Sequence, residues 1–385
     1  MFKNKRFIWF TIVIVSSTVS MRIVNNMIVT TIPLFSKYEL NFYNDEIGIL
    51  TSLTFLMTLI STSLINPRMN ARLRKIIYIL SSFLIILILL MIFYSNGITI
   101  WIFSLIAGFS YGLITPNIIT SASMVDDKLL AERLLAIYSL SLSLSLVLGP
   151  YLETYLLNFY NYRYIFLLFT PLAIPLFIFS FYSNFPEEKN EKYRLNEINK
   201  NSLFSAVINV MIYNIPFSII TVYASIYVIE IFHLSRSISY SVFIPFFTVS
   251  FFTRLYMAIK PFKNLRIAIS ISTFLTVIGI IFLSFPFNIY TIFISMALLG
   301  IPHGTMYPIS TIIISRSTKI EERNSINSYF VSFGNLIMVI VPPLYGYLFN
   351  YFGYKLMIAT LIIPVIIFYL ILYMKYFNES YMLNR

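Results

Sequence analysis

Ionisable side chains are rare in the apolar stretches of this sequence, and they are the groups that could do chemistry there. Within segments long enough to lie in a lipid bilayer, the chain carries five of them: Arg22, Glu153, Glu230, Arg254 and His303. An ionisable group at membrane depth costs about 3 kcal/mol or more, so it is expected to face a partner or a water-filled cavity. Glu230 lies close to the end of its segment, which leaves four candidates for binding a charged solute or carrying a proton.

Arg22 is the best candidate for contacting a solute. It lies about fourteen residues into the first apolar segment, roughly 21 Å along a helix that rises about 1.5 Å per residue. Thr18, Asn25 and Asn26 stand at helical spacing from it and form a polar stripe. The planar guanidinium suits a carboxylate or phosphate of a solute. The alternative is a static ion pair that holds helices together.

His303 lies in the stretch "GIPHGTMYP" at 300–308, between Pro302 and Pro308. Each proline removes a backbone donor, so we expect the helix to kink or open locally where polar groups or water can satisfy the freed carbonyls. The imidazole is either a hydrogen-bonding or proton-accepting site, or a buried histidine whose polar atoms are satisfied within the core.

Glu153 and Arg254 complete the set of candidates. Glu153 is the only deeply embedded carboxylate, so it could carry a proton, or it could form a structural pair for which Arg22 is a candidate partner. Arg254 lies near the end of its segment, and its long side chain could reach the membrane surface from there. We therefore interpret Arg254 as an anchor.

The composition places these residues in a membrane protein. The 385 residues are 58% hydrophobic and 11% charged, whereas soluble domains have about 45–50% apolar and about 25% charged residues. Cysteine is absent, which excludes disulfides and thiolate chemistry. The net charge of +12 resides in loops rather than on one basic face, so we expect no nucleic-acid partner.

An integral-membrane enzyme is disfavoured by the distribution of acidic residues. The adjacent pair Asp126 and Asp127 lies in a loop with no second acidic cluster, and the sequence lacks an HExxH motif. We therefore expect no catalytic residues, no metal and no cofactor.

Twelve segments are long and apolar enough to cross a bilayer as helices, which need about 20 mostly apolar residues. They cover approximately 8–35, 47–65, 76–94, 98–123, 134–157, 163–183, 203–231, 238–259, 267–285, 289–314, 327–349 and 355–376. The first segment is too long for a cleaved signal peptide. With these twelve segments crossing the membrane, 21 of the 27 Lys and Arg residues fall on one side of the bilayer and 4 on the other. This excess on one side predicts that both termini are cytoplasmic.

The sequence contains an internal repeat, so that the second half resembles the first. Gly108, Gly112 and Pro116 recur as Gly300, Gly304 and Pro308, each 192 positions later (300 − 108 = 192), and Pro150 recurs as Pro342. A polar stretch at 184–202 separates the copies. We predict two parallel-repeat bundles of six helices, residues 1–183 and 203–385, joined by a cytoplasmic linker at 184–202. Each pair of glycines at four-residue spacing favours close helix packing.

Several motifs resemble those of the major facilitator superfamily of secondary transporters. "LSLVLGPYLETYL", with Gly149 and Pro150, resembles the family's Gly-Pro motif in the fifth helix, and "NYRYIFLLFTP" resembles its entry into the sixth. The basic loop "NPRMNARLRKII" lies where the family has a glycine- and arginine-rich motif, of which Arg74 and Lys75 keep the basic end. Asn66 and Asn70 replace two other motif positions.

The resemblance implies an all-α fold in which two six-helix bundles rock about a central cavity lined by the first, fourth, seventh and tenth helices. On those helices the candidate cavity residues are Arg22, Asn25, Asn26, Tyr111, Asn214, Ser218, His303 and Tyr307. Asn214 and Ser218 are the repeat counterparts of Arg22 and Asn26. Glu153 is the candidate for coupling transport to protons.

The function that this reading predicts is secondary active transport of a small organic solute across the plasma membrane by a monomer. Arg22 and His303 favour an anionic or neutral polar solute over a cation. The Gly-Pro motif favours export, and the coupling candidate favours an antiporter. The alternatives are a facilitator, uniporter or importer of a metabolite, and a lipid scramblase or channel-like protein.

Overall fold

The chain is almost entirely helical in a computed structural model, which describes residues 2–123, 128–183, 185, 199–260, 262–318 and 320–383. Within these ranges, twelve helical segments are long and apolar enough to cross a membrane, which confirms the predicted number. Residues 186–198, most of the predicted linker, lie outside the described residues, as does the acidic pair Asp126 and Asp127.

Fourteen α-helices build these segments. They are α1 (Phe2–Tyr38), α2 (Asn44–Ile60), α3 (Ala71–Phe93), α4 (Thr99–Ser123), α5 (Lys128–Leu156), α6 (Tyr162–Ser180), α7 (Lys200–Phe232), α8 (Arg236–Tyr240), α9 (Phe243–Ile259), α10 (Leu265–Ser284), α11 (Ile289–Ser317), α12 (Ile320–Phe352), α13 (Tyr354–Thr360) and α14 (Ile362–Tyr376). The eighth predicted segment is divided between α8 and α9, and the twelfth between α13 and α14. The segment that begins with α2 ends in a π-helical turn, Ser61–Ile65, and a 3-10 turn, Asn66–Arg68.

Asparagine residues cap the N-termini of many of the helices. Five described helices have an Asn cap whose side-chain oxygen accepts a hydrogen bond from a backbone N–H of the first turn: Asn70, Asn161, Asn199, Asn264 and Asn288. Such a bond satisfies one of the donors that a helix start leaves without a partner. His233, the second histidine, ends α7 in the left-handed conformation with φ of 51°. These polar residues therefore define the helix ends.

The helices group into two compact units. The first comprises Met1–Phe42 and Leu50–Lys189, and the second comprises Tyr43–Ile49 and Asn190–Arg385. In the first unit, α1 packs on α5 and α6, and α3 packs on α4 and α6. In the second unit, α11 packs on α7, α9 and α10, and α7 also contacts α12 and α14.

The first turns of α2 belong to the second unit because of their hydrogen bonds. The Tyr223 hydroxyl donates to the backbone oxygen of Asn44 (2.8 Å), and the Tyr354 hydroxyl donates to the Asn44 side-chain oxygen (2.8 Å). Asn350 donates to Asp45 at 2.9 Å. These contacts assign a short piece of the predicted first half to the second unit.

The glycine pair of α4 brings two helix backbones into contact in the first unit. A Cβ atom added to Gly108 would lie 2.0 Å from the carbonyl oxygen of Thr54, and one added to Gly112 would lie 2.5 Å from that of Thr58. The Thr58 hydroxyl donates back to the Gly108 carbonyl at 2.9 Å. The absence of a side chain on these glycines is what lets α4 approach α2 so closely.

The second unit repeats this contact between α11 and α9. A Cβ on Gly300 would lie 2.4 Å from the carbonyl oxygen of Phe246, and one on Gly304 would lie 2.8 Å from that of Ser250. Phe246 and Ser250 are the 192-offset counterparts of the two threonine residues in the first unit (246 − 54 = 192). The packing role predicted for both glycine pairs is confirmed, and the repeat extends to the contacts themselves.

Replacing Gly108 or Gly300 with alanine should destabilise the protein. The added methyl group meets a backbone oxygen that cannot move without shifting a helix, and overpacking of this kind costs about 1–3 kcal/mol. Thermal unfolding of purified protein in detergent should show a lowered midpoint for both variants. Gly97→Ala is the control because its Cβ would meet only the Phe42 ring, at 3.5 Å. Equal midpoints for all three variants would contradict the packing argument.

Candidate functional site

A polar stripe runs along α1 in the first unit, as the sequence predicts. Arg22 is partly buried, and its Nη1 donates to the side-chain oxygen of Asn25 at 3.4 Å. Asn26 and Thr18 are buried, and among the described residues neither the Asn26 amide nitrogen nor the Thr18 hydroxyl has a hydrogen-bond partner. The stripe therefore contains buried polar groups that make no hydrogen bond to the described residues.

Arg22 has no carboxylate partner within the part of the chain that the structure describes. The one ion pair found there joins Arg163 Nε to Glu39 Oε2 at 3.4 Å. Arg163 also donates to the backbone oxygen of Phe93 at 2.7 Å, so it is the arginine that ties helices together in this unit. Tyr138 of α5 lies near Arg22. The static ion pair considered for Arg22 is therefore absent from the described structure.

Glu153 is fully buried in α5 and accepts a hydrogen bond from the Thr31 hydroxyl of α1. Thr31 lies nine residues beyond Arg22 on the same helix, which corresponds to about 13 Å at a rise of about 1.5 Å per residue. The carboxylate and the guanidinium thus occupy different depths. The suggested ion pair between Glu153 and Arg22 is not formed in the described structure. Glu153 instead accepts a hydrogen bond from a hydroxyl group.

His303 is enclosed by aromatic rings in the second unit. The centroids of Phe217, Phe246, Tyr213 and Phe247 lie 4.8, 5.0, 5.6 and 5.7 Å from that of the imidazole. Its Nδ1 is 2.7 Å from the Ser250 hydroxyl, and the residue is 7% exposed. The hydroxyl therefore satisfies one ring nitrogen of a buried histidine that packs among aromatic side chains.

Arg254 points into the second unit rather than towards the membrane surface. Its Nη2 donates to the backbone oxygen of His303 at 3.2 Å, and its Nε is buried. Tyr213 and Tyr307 both interact electrostatically with it. The anchor interpretation of Arg254 is wrong, because the side chain turns inward to a carbonyl in the proline-containing part of α11.

Helix α11 stays continuous through both of its prolines. The Thr305 hydroxyl donates to the carbonyl of Ile301 at 3.1 Å and contacts the Ser272 hydroxyl at 2.7 Å. The Thr311 hydroxyl donates to the carbonyl of Pro308 at 2.8 Å. The predicted local opening around His303 does not occur, because the helix runs without interruption from Ile289 to Ser317.

The remaining predicted cavity residues differ in how much hydrogen-bonding capacity they retain. The Tyr111 hydroxyl is buried without a hydrogen-bond partner among the described residues. Asn214 is partly buried beside Gly334. Ser218 is fully buried and donates to the Ile215 carbonyl of its own helix at 2.7 Å. Tyr307 is 46% exposed and contacts the Phe330 ring. Ser218 is thus the least suited to contact a solute.

Several polar residues of the second unit were missed by the sequence reasoning. Asn209 of α7 donates to the Met306 carbonyl and to the Ser310 hydroxyl, both at 2.9 Å. Ser250 holds the imidazole of His303. The repeat could have pointed to Ser250, because its counterpart Thr58 faces the first glycine pair. Asn209 carries no comparable signal in the sequence.

The motif residues have distinct structural roles. Asn70 begins α3 by accepting a hydrogen bond from the Leu73 N–H at 2.8 Å. Arg74 is 8% exposed, and its Nε has no hydrogen-bond partner among the described residues, whereas Lys75 is partly buried. Gly149, next to Pro150 inside α5, has room for a side chain, since the nearest atom to an added Cβ is 3.7 Å away on Ile23. Close packing therefore does not explain that glycine.

The Thr31–Glu153 hydrogen bond can be tested with a matched pair of substitutions. Thr31→Val removes the hydroxyl that faces a buried carboxyl group, and leaving such a group short of a partner costs about 1–3 kcal/mol. Thr30→Val is the control because the Thr30 hydroxyl donates to the Asn26 carbonyl of its own helix. Thermal unfolding should show a larger loss for Thr31→Val. A larger loss for Thr30→Val would contradict the assignment.

Comparison with known proteins gives a family and a fold. A profile described as Major Facilitator Superfamily matches residues 14–286 and 262–382. The fold is similar to that of a D-xylose–proton symporter, with 12% identity and a TM-score of 0.73 over 97% of this chain and 98% of that one.

Two further solved structures are similar over nearly their whole length. The nucleoside transporter NupG matches with 12% identity and a TM-score of 0.69 over 95% of this chain and 99% of its own. The human organic anion transporter MFSD10 (TETRAN) matches with 11% identity and a TM-score of 0.65 over 94% and 98%. At such identities the likeness concerns the fold alone. No curated protein sequence matches the chain.

Proposed function

Because the chain belongs to the major facilitator superfamily, we propose that it carries a small organic anion or neutral polar solute across the plasma membrane by alternating access. The family makes it a transporter of the secondary kind rather than an enzyme. The finer proposal concerns the class of solute, the direction of transport and the coupling ion. It assigns recognition of the solute to the polar stripe of α1 and coupling to Glu153.

Among the described residues Arg22 has no carboxylate partner, and this observation supports the proposal on solute class. A guanidinium has five N–H donors and stays charged at any physiological pH. In the described part of the chain, one of these donors meets Asn25 at 3.4 Å, a long hydrogen bond. A positive charge held at membrane depth is costly until an anion neutralises it. A carboxylate or phosphate on the solute would supply that anion, whereas a cationic solute would add repulsion.

The coupling proposal rests on the surroundings of Glu153. Its carboxyl group is fully buried, and the Thr31 hydroxyl can donate to the ionised form. Proton exchange at this carboxyl group would drive exchange of solute for protons. Gly149 and Pro150, with space around the glycine, support export as the direction. The excess of Lys and Arg in one set of loops supports cytoplasmic termini.

Arg22→Ala should abolish binding of anionic solutes. A thermal-shift screen with matched anionic and neutral solutes measures this directly, because a ligand that binds the native state raises its stability by mass action. We expect anions to stabilise the wild type but not Arg22→Ala, while neutral polar solutes stabilise both. Lys355→Ala, which removes an exposed positive charge, is the control. Retained anion binding by Arg22→Ala would remove the preference for anions.

Glu153→Gln should uncouple transport from protons. In proteoliposomes with an imposed pH gradient, the wild type should concentrate its solute, whereas the variant should only equilibrate it because an amide cannot exchange a proton. An unchanged pH profile in Glu153→Gln would exclude Glu153 as the coupling group. A wild type that equilibrates but never concentrates the solute would be a facilitator, the alternative function.

A further inference from the structure

A cavity of about 550 Å³ lies in the second unit, where α10 begins and α14 ends. It contains none of the residues proposed for solute recognition or coupling. Its polar lining includes Asn264, Arg266 and Asn378, and its apolar lining includes Ile267, Ile271 and Met374. Because α10 starts and α14 stops at this level, the cavity lies at the membrane-surface end of these helices.

Arg266 supplies the cavity with a cation that has spare donors. The side chain is partly buried, and its Nε is buried without a hydrogen-bond partner among the described residues. The ion pair described for the first unit does not involve it. The side-chain oxygen of Asn264 is already occupied by the backbone N–H of Arg266 at 3.0 Å. The guanidinium is thus the group in this cavity best suited to an anion.

The rest of the lining is largely apolar and exposed. Ile267, Ile271 and Met374 expose 57%, 54% and 78% of their surfaces, and Tyr373 exposes 55%. Residues this apolar at the outside of membrane-spanning helices face lipid chains rather than water. The same cavity therefore offers a positively charged guanidinium and an apolar surface that faces lipid chains. A small inorganic anion would use only the first of these features.

Phe377 and Asn378, which follow α14, also line the cavity, and the residues after them are held in place. Arg316 donates to the backbone oxygens of Phe262 (3.0 Å) and Tyr381 (3.3 Å). The Tyr381 hydroxyl donates to Ser205 at 3.3 Å, and burial raises its pKa to about 12, so it keeps its proton at neutral pH. A backbone bridge joins Asn264 to Leu383. These contacts give the cavity a fixed shape.

The charges around the rim favour an anion. Lys263 and Lys375 are exposed close to the lining residues in sequence, and Glu379 is the carboxylate that follows Asn378. Basic pockets between helices at the membrane surface are a recurring way to bind the head groups of anionic lipids.

We propose that this cavity binds an anionic phospholipid, with the phosphate on Arg266 and the acyl chains along Ile267, Ile271 and Met374. The site is separate from the proposed solute site, so the two proposals can fail independently.

The proposal is tested by the thermal stability of the purified protein against added phosphatidylglycerol, phosphatidylcholine and inorganic phosphate. Phosphatidylglycerol should stabilise the wild type more than phosphatidylcholine does, and inorganic phosphate should have little effect. Arg266→Gln should weaken the phosphatidylglycerol effect about tenfold in concentration, as expected for losing hydrogen bonds from a charged group. Arg72→Gln, an exposed arginine in the first turn of α3, should behave as the wild type.

A second variant keeps the test decisive if Arg266→Gln does not fold. Asn378→Asp places a negative charge on the exposed rim without touching the core, and it should also weaken the response to phosphatidylglycerol. An unchanged response in the folded variants would overturn the proposal. Equal stabilisation of the wild type by inorganic phosphate and phosphatidylglycerol would overturn the lipid as the occupant.

Discussion

The close contact of two helix backbones at each glycine pair is the constraint on which both units depend. In the first unit it fixes α4 against α2, and in the second it fixes α11 against α9. The same contact at Gly304 brings α11 so near to α9 that the imidazole of His303 reaches the Ser250 hydroxyl. Arg254 can reach the backbone of α11 for the same reason. The candidate polar groups of the second unit are therefore placed by the close packing of α11 on α9 at its glycine pair.

The two copies share the same helix contacts but carry different polar side chains at equivalent positions. Where the first copy has Thr62, whose hydroxyl donates to the Gly112 carbonyl at 2.8 Å, the second has Arg254. Arg254 donates to the carbonyl of His303, the residue before Gly304, which is the counterpart of Gly112. The first unit instead carries an arginine on α1, Arg22, whose counterpart Asn214 is neutral. Duplication thus fixed where polar side chains could stand, and later divergence placed a cation at a different point in each copy.

The sequence predicts those features that depend on local pattern. The number of spanning segments follows from apolar length, and the glycine contacts follow from four-residue spacing and the repeat. Contacts between distant residues are not written in that pattern: Thr31 and Glu153 lie 122 residues apart, so no local rule pairs them. The direction of Arg254 depends on a carbonyl 49 residues away.

The asparagine caps have a consequence for how the helix starts respond to pH. An aspartate in the same place would lose part of its accepting strength once protonated, whereas an amide does not titrate. Helix starts at Asn70, Asn161, Asn199, Asn264 and Asn288 therefore hold with the same strength on either side of the membrane. These helix starts therefore contribute no dependence on pH to the stability of the fold.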